Sequence, residues 1–231
     1  MALILAATLL QARAWPQTVA APPPAQQGVE LDRVAAVVNG DLILESDVDE
    51  ERRLEAFQPF RAPTETTRDK IVERLVDRTL ILQQARLQPE PPITDEAVDA
   101  QIATLRKEIQ GCKEYLCETD EGWTKFVAAQ GFTIDELRRQ WKLRMEVLRF
   151  IEERFRTGVR VQDEEVKTYY EKTLLPEYAR RHATAPPLEA IASRIEEIMV
   201  QQRVTSLLTD WLKSLRAQGQ VRILPSTEVT P

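Results

Sequence analysis

Cys112 and Cys117 are the only cysteines in the chain, set in GCKEYLC. Five residues apart, they fit neither a CxxC redox pair nor a four-ligand zinc pattern, and a lone distant histidine cannot complete a metal set. Two states stay open for them: a local disulfide, or two reduced and partly buried thiols at a helix end. His182 is the one histidine, in the polar run EYARRHATAPP. A general base needs an orienting partner and a pocket, so a surface position is the simpler reading. The acid runs Asp163-Glu164-Glu165 and Glu196-Glu197 suit helix starts and solvated faces. No GxSxG, P-loop, HExxH or dinucleotide fingerprint occurs. The chain therefore offers no catalytic, cofactor-binding or metal-binding residues. It does offer aromatic rings outside long helical stripes. Phe57 and Phe60 flank a proline break, and Trp123 and Phe126 sit near the cysteines. They are the candidate peptide-binding residues, part of an apolar surface for extended chains. Local core packing is the competing and simpler reading.

The elements that must position these residues are mostly helical. At 231 residues, 29% charged and 43% hydrophobic, with seven glycines, the chain is globular. Val34–Val38 and Leu42–Leu44 are short β-rich runs joined by Asn39-Gly40. That pair suits a type I′ turn, which needs positive φ at both central positions. Ser46 is then expected to cap a helix over Asp47–Phe57. Pro59 and Pro63 break it. A second helix over Thr67–Leu87 carries Ile71, Val72, Leu75, Val76, Leu80 and Leu82 on a wide stripe. Thr94 caps a third, with Val98, Ile102, Leu105 and Ile109 inward. Trp123–Gln130 is a short helix ending at Gly131.

Thr133 caps a long helix to about Arg156, with Ile134, Leu137, Trp141, Met145, Leu148 and Phe155 as its main stripe. Asp163–Lys172 is a short helix, and 173–187 an irregular connection. Leu188–Ala217 is the last helix, and Gln220–Leu224 alternates like a strand. A two-stranded hairpin alone is marginal in water. A third strand from the far end of the chain would support it and make one domain from both ends.

The opening has a separate character. Ala2–Leu10 is an apolar run too short to span a bilayer, followed by small residues that suit signal cleavage. Residues 1–20 read as a signal peptide and 21–31 as a proline-rich linker. Residues 225–231 are a tail. Residues 1–20 hold one cation, Arg13, so export makes the mature chain one unit more negative than −6. An acidic chain without a basic run is a poor partner for nucleic acid. No integral membrane anchor is indicated. In an oxidising periplasm, the local Cys112–Cys117 bridge is the expected state.

The run LDRVAAVVNGDLILESDVD at Leu31–Asp49 resembles the opening of the SurA family of periplasmic chaperones. TRDKIVERLVDRTLILQQARL (Thr67–Leu87) and ITDEAVDAQI (Ile93–Ile102) are similar to that family's second and third helices. VQDEEVKTYYEK (Val161–Lys172) resembles the lead into its parvulin-type prolyl isomerase domain, and Leu188–Leu224 its closing helix and strand. The resemblance implies a mostly α, multi-helix SurA N-terminal-like domain over 32–224, with a small N-terminal hairpin joined by a C-terminal strand. It implies a holding chaperone whose partners are unfolded polypeptides, outer-membrane β-barrel precursors among them. A parvulin domain needs on the order of a hundred residues, and Tyr170–Leu188 has no room for one. Paired parvulin histidines and a glycine-rich turn are also missing. The alternatives are an isomerase-related enzyme and a non-chaperone interaction subunit of a cell-envelope complex.

Overall fold

The computed structural model describes residues 31–58, 67–88 and 90–225. The expected signal peptide, most of the linker, Pro59, Phe60, Pro63 and most of the tail lie outside the described residues. Strands β1 (Val34–Val38) and β2 (Asp41–Leu44) form the hairpin. Asn39 and Gly40 have φ of 51° and 95°, as a type I′ turn requires. Strand β3 (Val221–Ile223) pairs antiparallel on the other side of β1, giving the order β2-β1-β3. The register sets Val37 between Leu42 and Arg222.

Asn39 does more than permit the turn. Its Oδ1 accepts from the Gln220 backbone N–H at 2.7 Å, and its Nδ2 donates to Gln83 at 2.8 Å. The turn is thereby tied to β3 and to helix α2 (Arg68–Ala85).

Helix α1 (Glu45–Leu54) continues as a 3-10 turn through Phe57. Ser46 is not its cap. Its hydroxyl and backbone N–H both donate to Asp32, which holds the Asp32 carboxyl below its usual range. Leu44 precedes the helix instead, and Asp47 reaches back to accept its N–H at 2.8 Å. Helix α3 (Asp95–Glu108) is capped by Thr94, which accepts from Ala97. A 3-10 segment, Gln110–Tyr115, leads to α4 (Asp120–Ala129), which begins three residues before the expected Trp123 because Thr119 caps it. Its end is a Schellman motif: Gly131 N–H to Ala128 C=O, Phe132 N–H to Val127 C=O, and Gly131 at φ 76°.

Helix α5 (Ile134–Ile151) opens on a capping box between Thr133 and Glu136 and runs on as a π-turn to Arg156. Helix α6 (Asp163–Tyr169) continues as a π-turn to Leu174. The stretch expected to be irregular at 173–187 instead holds α7, Leu175–Arg180, with Pro176 in its first turn where a missing N–H costs nothing. Helix α8 (Leu188–Gln218) is the longest, about 46 Å at 1.5 Å per residue.

Two cores result, and α1 serves both. Val48 joins the sheet residues Ala36, Val38 and Ile43 and the α2 stripe from Ile71 to Leu80, with Leu212, Leu215 and Val221 packed against them. Leu54 and Phe57, about two turns on, enter a second core with α3, α4, Phe132 and Leu137. Helix α8 is only lightly covered: Ile195 and Val204 are its buried residues, and Ile198 is exposed.

Candidate functional site

Phe57, Trp123 and Phe126 do not line an open surface. All three are buried in the second core, and Phe57 is wholly enclosed. Its ring meets Trp123, Phe126 and Phe132 edge-on at centroid distances of 6.0, 5.4 and 5.8 Å. Phe57 ends a 3-10 turn, where a ring carries no periodic signature, and Trp123 and Phe126 stand on a helix too short to show a long stripe. Phe60 lies outside the described residues.

Cys112 and Cys117 are joined in the structure, with Cα atoms 5.2 Å apart. Both belong to the same core as the three rings. The turn between them needs Leu116 at φ 55° and lies tight against α4. A Cβ on Gly122 would fall 2.1 Å from the Tyr115 carbonyl oxygen, so only glycine fits. Arg106 fastens the turn from outside by donating to the Cys117 carbonyl at 2.8 Å and pairing with Asp120 at 3.0 Å. The cysteine turn is thus a lid on the aromatic core.

The acid runs and the histidine are structural or exposed. Glu165 accepts from the Gln162 N–H and pairs with Arg203, and these contacts hold its carboxyl below the usual range. Glu197 pairs with Arg156 at 2.6 Å, and that hydrogen bond lowers its carboxyl likewise. His182 is exposed. Among the described residues no group of three His, Cys, Asp or Glu could hold a metal ion, and no helix is long and apolar enough to cross a membrane.

Among the described residues, one open apolar feature lies between the C-terminal ends of α2 and α5, and another beside the cysteine turn, where Leu116 is exposed. A crevice of about 290 Å³ is floored by Leu82, Ala85, Leu143 and Phe150, with Pro92 at one wall. Arg149 donates to the Pro91 carbonyl at 2.6 Å, which fixes that wall to α5. Arg86, Glu90, Glu146 and Arg149 give the rim both signs of charge. Phe150 is backed by Trp211 of α8 at 5.8 Å, and Phe155 meets the same indole at 5.3 Å. The Arg154 guanidinium covers that indole at 4.9 Å.

Further leucines near the C-terminal ends of α2 and α5 are exposed without lining the crevice. Leu87 is 73% exposed, and Leu148, expected on the inner stripe of α5, is 58% exposed. Leu148 faces out because α5 outruns the α3–α4 core that covers Leu137.

Sequence reasoning also missed a buried charge group. Glu51 of α1 and Glu55 of the 3-10 turn that continues it are buried; Arg78 donates to Glu51 at 2.5 Å and Arg74 to Glu55 at 2.6 Å. The matched spacing, i and i+4 on both helices, was the available signal.

No protein-family model matches the chain. Among curated proteins it is 29% identical over 171 residues to chaperone SurA of Chromobacterium violaceum, covering 72% of this chain and 36% of that protein. It is 37% identical over 100 residues to chaperone SurA of Pseudoalteromonas translucida, covering 41% of this chain and 23% of that protein. Against chaperone SurA of Salmonella typhimurium it is 41% identical over 83 residues, 34% of this chain and 19% of that protein. The matches thus span well under half the length of these relatives. Among solved structures, a SurA-like chaperone of Campylobacter jejuni superposes with a TM-score of 0.53 at 11% identity, over 84% of this chain and 100% of that one. At that identity the likeness is one of fold.

Proposed function

We propose that this chain, a relative of the SurA-type chaperones in sequence and fold, is a periplasmic holding chaperone. It binds unfolded polypeptides, outer-membrane β-barrel precursors in particular, and does not catalyse prolyl isomerisation. The observation that carries this reading is the apolar α2–α5 crevice, on which Leu143 is 37% exposed. A shallow apolar floor with a mixed-charge rim suits an extended segment that inserts one or two apolar side chains. Each contact is weak, so release stays possible. Preferential binding of the unfolded form lowers its free concentration and slows its aggregation.

The absence of isomerase activity is supported by the short connection at Tyr170–Leu188. The Tyr170 hydroxyl donates to the Pro186 carbonyl at 2.8 Å and closes this connection on itself. Parvulin chemistry has no domain to house it there.

The test pairs two measurements on the purified protein. Micromolar protein is expected to delay aggregation of an unfolded β-barrel client and to leave the slow uncatalysed X-Pro exchange, roughly tens to hundreds of seconds, unchanged. Isomerisation accelerated in proportion to protein concentration would favour the enzyme. No protection of any client would favour the interaction subunit.

A further inference from the structure

The apolar feature beside the cysteine turn differs from the α2–α5 crevice in charge. It is a groove of about 400 Å³ between the end of α3 and the turn. Leu116 is its exposed apolar wall, and the buried Ile109, Cys112 and Cys117 line its depth. A further cavity of about 390 Å³ shares Arg106, Lys107, Cys117 and Glu118 with it and reaches Ala103, so the groove continues along α3. Its walls are fixed before anything binds. The disulfide closes the turn, and Arg106 donates to the Cys117 and Glu118 carbonyls at 2.8 and 3.3 Å. A preformed groove spares an occupant the cost of ordering it.

Leu116 is the odd residue. At φ 55° it holds a left-handed backbone that glycine and asparagine adopt more readily than leucine. Its side chain is 71% exposed, so burial within the chain does not offset the strain. A strained position that presents an apolar side chain to solvent suits a contact made outside the chain. The rim says what kind. Arg106, Lys107 and Lys113 line the groove against Glu118 alone, whereas the α2–α5 crevice sets two arginines against two glutamates. Arg106 is committed to Asp120 at 3.0 Å, and the exposed Lys107 and Lys113 still outnumber Glu118. On a chain of net charge −6 this is a local excess of positive charge. We propose that the groove is a second polypeptide site, which takes an extended segment with an apolar side chain beside an acidic one. The apolar side chain packs on Leu116, and the carboxylate meets Lys107 or Lys113. The inference rests on the polypeptide-binding reading above and adds a site with its own selectivity. Pro92 of the crevice precedes α3 and Ile109 of the groove follows it; the 14 residues of that helix span about 21 Å, so the two sites are separate.

Two dye-labelled octapeptides of Gly, Ser and Leu with blocked ends test this, one with Asp on either side of the leucine and one with Asn there. Fluorescence anisotropy with the full chain at low salt is expected to show the Asp peptide binding about fivefold tighter. The double variant Lys107→Gln, Lys113→Gln should abolish that preference. Leu116→Asn should weaken the Asp peptide about fivefold or more. Asparagine suits the left-handed backbone, so the melting temperature should not fall. Leu143→Ser, in the other crevice, should leave the preference unchanged. Equal affinity for both peptides in wild type, or a preference that survives the lysine variant, overturns the groove. A preference lost in Leu143→Ser overturns it too and assigns the acidic segment to the crevice. Self-association of the wild type that Leu116→Asn abolishes, read by sedimentation, would give the groove to a second copy of this chain and overturn it likewise. If neither peptide binds while aggregation of the β-barrel client is still delayed, the groove falls and the holding reading stands. If aggregation is not delayed either, both fall.

Discussion

Phe57 and Phe150 sit at the centres of two aromatic groups with opposite fates. Around Phe57 every side is closed: Trp123, Phe126 and Phe132 surround the ring, and the Cys112–Cys117 turn caps the group. Phe150, 7% exposed, packs against Trp211, which also meets Phe155, and it lines a crevice beside Leu143, 37% exposed. Composition does not separate the two. What separates them is how many elements converge: α1, α3, α4, α5 and a cross-linked turn at the first, but α2, α5 and a thinly packed α8 at the second. Aromatic content marks where apolar surface exists, and the count of converging elements decides whether it can be offered to a partner.

The sharpest way to break this comparison is to cut α8 away. A chain ending before Leu188 loses β3, the Arg216–Asp77 pair at 2.6 Å and the backing of Phe150. It is expected to lose cooperative unfolding; full helicity with unchanged melting would show that the two ends fold independently. Next in size, Phe57→Ser should destabilise by at least about 3–5 kcal/mol, the usual cost of emptying an aromatic core site, read from urea unfolding. Leu143→Ser, at an exposed position lining the crevice, should move stability by no more than about 0.5 kcal/mol, yet weaken client binding. If the two variants lose binding and stability in equal proportion, the closed and open groups are not functionally distinct. The double variant Cys112→Ser, Cys117→Ser should cost up to about 2 kcal/mol by chain entropy over so short a loop. Its effect should fall on the Trp123 environment, followed by fluorescence, before it reaches the crevice.

Smallest are the helix starts. Thr94→Ala should cost about 1 kcal/mol. At the start of α5, hydrogen bonds from the Thr133 backbone and hydroxyl hold the Glu136 carboxyl below its usual range. A depressed folded pKa stabilises above the unfolded value, and that contribution fades as pH falls through the folded one. Acid titration of wild type against Glu136→Gln should therefore converge below about pH 4, the ordinary glutamate range.

Much of this fold is legible in the chain. Asn39-Gly40, Thr94, Thr133 and Gly131 each need a particular backbone geometry or hydrogen bond, and each adopts it. Failures are of three kinds: a local rule met a stronger tertiary partner, a periodic pattern outran its covering neighbours, or a breaker stood where the backbone tolerates it. Ser46 is a good cap in isolation, but Asp32 takes its hydroxyl. Leu148 keeps the α5 period beyond the core that would bury it. The segment around Pro176 reads as a breaker, yet the proline stands where a first turn tolerates it. For the site, the notable residues were the least available ones. Phe57, Trp123 and Phe126 were singled out for lacking a stripe, whereas Leu82, Leu143 and Phe150 sit on ordinary stripes and only the assembled helices reveal that their neighbour is missing.

Asn39 bonds to Gln220, 181 positions away. During synthesis, one edge of β1 therefore waits for almost the whole chain before its partner exists. Loop closure on that scale makes the third strand a late event, whereas the core around Phe57, built from residues 54–145, can close before it. The two cores are thus expected to become rigid at different times, the cross-linked one first and the sheet only when β3 reaches β1.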